Sequence, residues 1–158
     1  MKYTIAALVE NKPGVLARVA SLFRRRGYNI DSLSVGRTER DDISRITIVV
    51  EGNEKVVEQV TKQLNKLVEV IKVSDVSEHS VERELCLVKV SVQPEKRGEI
   101  VELSNIFRAR IVDVSRDSFI IEVTGDEEKI EAFISLMRQY GIKELARTGK
   151  VAMVRGSK

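Results

Sequence analysis

Two hydrophobic rhythms alternate along this chain, and each switch between them marks a new element. Tyr3-Thr4-Ile5-Ala6-Ala7-Leu8-Val9 reads as a strand that ends at the breaker cluster Glu10-Asn11-Lys12-Pro13-Gly14. Val15, Leu16, Val19, Leu22 and Phe23 then follow helical spacing, and Gly27 stands where a helix C-terminal glycine belongs, which predicts a helix over 14–26. Tyr28 to Arg37, with Ile30, Leu33 and Val35 among polar neighbours, and Ile43 to Val50, with Ile46, Ile48 and Val50 on one face, predict two strands joined by a hairpin at Glu39-Arg40-Asp41-Asp42. Asn53 offers an N-cap to a helix marked by Val56, Val60, Leu64 and Leu67, and Val68 to Val76 supplies a fourth strand.

After the polar break Ser77-Glu78-His79-Ser80 the order repeats. Leu85 to Val92 predicts a strand, Glu99 to Phe107 a helix with Ile100, Leu103, Ile106 and Phe107 inward, and 111–114 and 119–123 two further strands. Gly125-Asp126 opens a helix with Glu127 and Glu128 in its first turn and Ile130, Phe133, Ile134 and Met137 on one face, and 142–146 closes the unit. Leu22-Phe23-Arg24 aligns with Ile106-Phe107-Arg108 and Gly52-Asn53-Glu54 with Gly125-Asp126-Glu127, with the difference in spacing absorbed by a longer β-arm in the first half. The fold class is therefore α+β: two tandem βαββαβ ferredoxin-like domains, residues 1–77 and 81–158, each with two helices on one face of an antiparallel sheet.

Composition narrows the chemistry. Lys and Arg total 27 and Asp and Glu 24, and the excess is spread over both halves, +2 in residues 1–78 and +1 in 79–158, so neither half is built to attract a polyanion. Seven aromatic residues, with no aromatic series on the strands, argue against RNA stacking, and Arg24-Arg25-Arg26 suits a helix C-terminus or a protein contact. The lone Cys86 excludes an internal disulfide and lies in the apolar run Leu85-Cys86-Leu87-Val88, as a core residue does. The lone His79 sits in the break between domains, no phosphate loop occurs, and the acidic pairs fall in a hairpin and a helix first turn, so no catalytic and no metal-binding residues are identified. No apolar run is long enough for a membrane span and no signal peptide is evident, so a cytoplasmic protein without membrane or nucleic-acid partners is expected.

The informative segment is the first strand-to-helix turn. Pro13 suits a helix start, and Gly14, lacking a side chain, lets an anion approach the first-turn N–H groups; taken alone, the same turn serves equally as a helix start chosen for its geometry. The run N-K-P-G-V-L-A-R-V followed by F-R-R-R-G-Y-N-I-D-S-L resembles the ACT domain, a family of βαββαβ modules that bind amino acids at subunit interfaces. R-R-G-Y-N-I-D-S-L-S-V, S-R-I-T-I, Q-L-N-K-L-V-E-V-I-K-V and V-E-R-E-L-C-L-V-K-V extend the resemblance over nearly the whole chain, to the regulatory (small) subunits of acetolactate synthase, or acetohydroxyacid synthase.

That resemblance implies an N-terminal ACT domain for effector binding and dimerisation, a C-terminal ACT-like domain, and a noncatalytic subunit of branched-chain amino acid (valine, leucine and isoleucine) biosynthesis. Such a subunit activates a catalytic large subunit and confers feedback inhibition by L-valine or a related branched-chain amino acid. Thiamine diphosphate, Mg and FAD belong to the catalytic partner, and no cofactor is expected on this chain. The family's effector contacts carry over to Asn11, Gly14, Val15 and Leu16 in the turn and to Asn29 and Ile30 on the second strand of a neighbouring subunit, with Val15, Leu16 and Ile30 expected to line an apolar slot. The departures are Lys12-Pro13 in the turn and a short tail, Arg155-Gly156-Ser157-Lys158. A stand-alone amino-acid-binding module and an RNA-binding or scaffolding tandem remain the alternatives that the residues themselves allow.

Overall fold

The computed structural model describes residues 1–156; Ser157 and Lys158, which end the expected second domain and the tail, lie outside the described residues. The chain forms two compact units, one of residues 1–81 together with the described residues from 150 onward, the other of residues 82–149.

In the first unit β1 (Lys2–Glu10), α1 (Val15–Arg26), β2 (Asn29–Arg37), β3 (Ile43–Glu51), α2 (Glu54–Asn65) and β4 (Val70–Asp75) follow one another, and the antiparallel sheet has the order β2-β3-β1-β4. Alternation decides the faces. Ile5, Ala7 and Val9 of β1 and Ile46, Ile48 and Val50 of β3 pack with Val15, Val19, Leu22 and Phe23 of α1 and Val57, Val60 and Leu64 of α2. The inward residue of α2 is Val57, with Val56 only half-buried, because a helix turns about 100° per residue and Val57, Val60 and Leu64 lie on one side.

The second unit repeats the plan. β5 (Ser80–Ser91), which begins in the first unit, leads to α3 (Arg97–Ile106), β6 (Arg110–Val114), β7 (Ser118–Gly125), α4 (Glu127–Met137) and β8 (Ile142–Arg147), with the strand order β6-β7-β5-β8. A single 3-10 turn, Pro94–Lys96, precedes α3. Cys86, Val88, Val90, Ile100, Phe119, Ile121, Val123, Ile130 and Phe133 are among the core residues, so the thiol of Cys86 is a packing group.

The helix ends set the true internal register. Gly27, at φ 68°, donates its N–H to Arg24 O, and Tyr28 N–H reaches Phe23 O; Arg108, at φ 54°, and Ala109 repeat these bonds to Asn105 O and Ser104 O. Gly27 thus corresponds to Arg108, an offset of 81, and Phe23 to Ser104 rather than to Phe107. The expected inward position of Ile106 is corrected accordingly: it is 67% exposed, the buried place on α3 is taken by Ser104, whose hydroxyl bonds Ile100 O at 2.8 Å, and Phe107 packs edge-on against Phe133 from beyond the helix end. The N-caps Asn53 and Asp126 accept bonds from Val56 N–H and Lys129 N–H, an offset of 73, so the first half does have the longer β-arm, by 8 residues rather than 11.

One strand has no sequence-level counterpart. β9 (Val151–Val154) pairs with β5, and its Ala152 packs with Ala6 and Val76 of the first unit. The C-terminal stretch that the domain boundaries 1–77 and 81–158 assign to the second half thus groups with the first.

Candidate functional site

The turn between β1 and α1 is fixed by backbone bonds to its neighbours. Asn11 N–H donates to Asp42 O at 2.8 Å and Asn11 Nδ2 to Asp41 O at 3.0 Å, which leaves the Oδ1 of this exposed side chain as an available acceptor. Lys12 N–H bonds Glu10 O, and the Lys12 ammonium pairs with the Glu10 carboxylate at 3.1 Å. Gly14 caps α1 from the left-handed region, φ 86°, with no side-chain cap and no acid in the first turn. Val15 N–H makes a long bond to Lys12 O at 3.4 Å, and the next first-turn N–H groups, with the positive end of the helix dipole, have no side-chain acceptor at the cap.

Arg18 adds a guanidinium to this turn. A Cβ on residue 14 would lie 3.3 Å from Arg18 Nη1, and Arg18 is held by an ion pair to Glu69. Glu69 also fixes the turn through its backbone, since its carbonyl accepts Glu10 N–H at 2.9 Å. Sequence reasoning passed over Arg18 because a cation on an exposed helix face is the commonest kind of cation; its spacing of four from Gly14 is the signal that was available.

The six residues singled out in the sequence fall into two groups. Asn11, Gly14, Val15 and Leu16 are together at the turn. Val15 is 4% exposed and packs in the core, and its N–H already donates to Lys12 O at 3.4 Å, so it is no wall of an apolar slot, whereas Leu16 is 44% exposed at the head of the helix. Asn29 and Ile30 open β2 at the far end of the sheet: Asn29 is opposite Glu51, which is opposite Lys2, while the turn follows Glu10, which is opposite Ile43. The 9-residue strand β3 separates these ends by about 26 Å at roughly 3.3 Å per residue. Within one chain the two groups do not meet.

β2 is an edge strand, bonded to β3 on one side only. Asn29 Nδ2 donates to Glu51 Oε2 at 3.3 Å, and Ile30 packs against the core. A bulge at Asp31, whose carboxylate pairs with Lys2 at 3.3 Å, resets the alternation so that Leu33 and Val35, opposite Ile48 and Ile46, lie on the helix-bearing face. Their exposures are 36% and 44%, since the helices do not cover the edge.

The second unit keeps the frame but not these residue types. With the offset of 81 defined by the helix ends, Pro94 corresponds to Pro13, but Glu95 stands in place of Gly14, Val92 in place of Asn11 and Arg110 in place of Asn29. Glu95 puts an acid in the 3-10 turn ahead of α3, a charge of the sign that disfavours an anion there. Among the described residues no cluster of three or more His, Cys, Asp or Glu is arranged to hold a metal, and no helix is long and apolar enough to cross a membrane.

Comparison with known proteins matches the chain in two stretches, the second of which runs on through β9. Residues 5–72 match the model of the AHAS small subunit-like ACT domain, and residues 83–156 match that of the small subunit of acetolactate synthase. The probable acetolactate synthase small subunit of Archaeoglobus fulgidus is 82% identical over 158 residues, covering 100% of this chain and 99% of the relative. The acetolactate synthase small subunit of Mycolicibacterium smegmatis is 54% identical over 155 residues, covering 98% and 91%. The crystal structure of the small subunit of acetolactate synthase from Thermotoga maritima superposes with a TM-score of 0.93 at 48% identity, covering 100% of this chain and 99% of that one. The two ferredoxin-like units, the open glycine turn at the head of the first helix and these relatives together make the chain a member of the acetolactate synthase small-subunit family, with an ACT domain as its first unit.

Proposed function

We propose that this chain activates the catalytic subunit of acetolactate synthase and mediates its feedback inhibition by valine or a related branched-chain amino acid, bound at a seam between two copies of the first unit. The observation that carries the reading is the separation of the turn from Asn29 combined with the open edge of β2. If two β2 strands pair antiparallel about Leu33, Asn29 of the second copy falls near Arg37, which is opposite Ser44 and so lies at the turn end of the sheet. Each seam would then hold two complete sites, and neither copy would have one alone.

The chemistry of the assembled site suits a zwitterion with an aliphatic side chain. The ligand carboxylate meets the first-turn N–H groups of α1, the positive helix end and Arg18. Its ammonium meets Asn11 Oδ1 and the carboxamide of the second copy's Asn29, and its side chain lies between Leu16 and the second copy's Ile30. Because the site is shared, effector binding and association of copies stabilise one another. On this reading residues 1–77 serve effector binding and dimerisation, and the chain works in the cytoplasm without a cofactor of its own, beside a thiamine-diphosphate-dependent catalytic subunit that carries Mg and FAD.

The test is reconstitution. The purified chain is expected to form no acetolactate, to raise the turnover of the catalytic subunit with which it co-purifies, and to make that turnover sensitive to valine. Calorimetry on the chain alone is expected to give heat with valine. An assembled enzyme indifferent to valine, leucine and isoleucine would overturn the effector assignment.

A further inference from the structure

The face of the first sheet that carries no helices is nevertheless buried: Thr4, Ala6, Thr47 and Val49 are 3%, 4%, 2% and 0% exposed. β9 lies against this face. Ala152 packs with Ala6 and Val76, and with only methyl groups at positions 6 and 152 its backbone approaches closely enough for Arg45 Nη2 to donate to Ala152 O at 2.6 Å. Arg155 N–H, just past β9, bonds the carbonyl of His79 at 2.7 Å, and His79 itself is held at φ 54°. β9 is thus fixed by a charge-assisted bond at its middle and a backbone bond at its end.

Arg45 is also tied to the effector turn. It lies on β3, opposite Gly36 of the edge strand and Leu8 of β1, and three residues before it Asp42 O accepts Asn11 N–H, with Asp41 O accepting Asn11 Nδ2. The turn, the start of β3 and Arg45 occupy one end of one sheet. The neighbouring outer-face positions on β3, Thr47 and Val49, are uncharged, so burial alone does not call for an arginine here. What the guanidinium supplies is a directional, permanently charged donor aimed at a single carbonyl.

We infer that Arg45 and β9 form the relay through which occupation of the effector turn is transmitted to the rest of the chain, with Arg45 as a positioning residue. The inference rests on the effector reading above. A ligand ammonium that engages Asn11 draws on the bonds to Asp41 and Asp42, these lead directly into β3, and Arg45 passes the shift to Ala152. β9 in turn follows Gly149, the last residue of the second unit, so a displacement of β9 pulls on that unit through the chain itself.

The experiment uses the full chain assembled with the catalytic subunit, with valine as the probe. In Arg45→Ala, calorimetric valine affinity is expected to stay within about twofold of the unaltered chain, while the valine concentration for half inhibition rises about tenfold or more, the order expected for losing a hydrogen bond from a charged group. Arg45→Lys, which keeps a cation within reach of a carbonyl, is expected to recover part of the loss. In the unaltered chain, valine is expected to slow hydrogen exchange at the amides of 151–154, and Arg45→Ala to abolish that response. A merely structural role would lower binding and inhibition in proportion, and that result overturns the relay. So does an absence of any valine-dependent change in the exchange of β9 in the unaltered chain, a measurement that requires no variant to fold. If valine gives no heat with the unaltered chain, the effector reading fails and the relay with it; if valine binds and inhibits while β9 is indifferent, the relay alone fails.

Discussion

At the scale of single residues, Gly14 is the most consequential position. Its φ of 86° favours glycine, and the nearest obstacle to a side chain there is the flexible end of Arg18. Gly14→Asp is therefore expected to fold, because aspartate tolerates the left-handed region better than most residues. Its carboxylate would face the ligand's at about 4 Å, a repulsion of roughly 4 kcal/mol at an effective dielectric of 20, or about a thousandfold in affinity. Assays of acetolactate against valine concentration are expected to find activation retained and inhibition lost. Cys86 makes the opposite case, a reactive group silenced by position. Burial pushes its thiol up to about 11, outweighing the nearby Arg147 guanidinium, so a thiol reagent at pH 8 is expected to label the chain only after denaturation. The helix start at Gly14 and the burial of Cys86 were legible because each stands in a telling local context: a breaker cluster before a helix, or an unbroken apolar run. Arg18 and Arg45 were not. The first looks like any solvated helix cation, and the second finds its acceptor 107 residues away, a distance over which no sequence periodicity reports.

Among the elements, each helix start has its own solution to the unpaired first-turn donors. α2 and α4 use the side chains of Asn53 and Asp126, at 3.1 and 2.9 Å from the donors they accept from, whereas α1 has none. Asp126→Ala is expected to destabilise the second unit by about 1 kcal/mol, measured by chemical denaturation, with Asp126→Asn largely neutral. α3 likewise has no side-chain cap, but a 3-10 turn with Glu95 precedes it, whereas α1 starts from Gly14 with no acid in its first turn. Long periodic elements were read well from the sequence, since a dozen residues display several cycles of their rhythm. The inward face of α3 is misleading in the sequence because Ile106, its last residue, and Phe107, its C-cap, continue the apolar pattern up to the point where Arg108 turns the chain, and a non-glycine residue at positive φ gives no warning. β9 went unread for a simpler reason: four residues are too few to establish a period.

For the whole molecule, the decisive feature is the exposed apolar margin of β2. Leu33 is half in solvent, so Leu33→Glu is expected to leave the first unit folded while setting two carboxylates against each other across the twofold seam. Sedimentation is expected to find a dimer for the unaltered chain and a monomer for the variant, and calorimetry to find valine binding weakened in parallel, since Asn29 would no longer reach the turn. The return of β9 to the first unit also gives synthesis an order. Ala6 and Val76 emerge from the ribosome early, but their partner Ala152 emerges only after the whole second unit has been made. A product ending at Gly149 would hold every strand of the second unit but leave the first without β9, and it is expected to be cut in its first unit under limited proteolysis where the longer chain resists. The interleaving would thereby make the protease resistance of the first unit depend on a strand that is made last among the described elements.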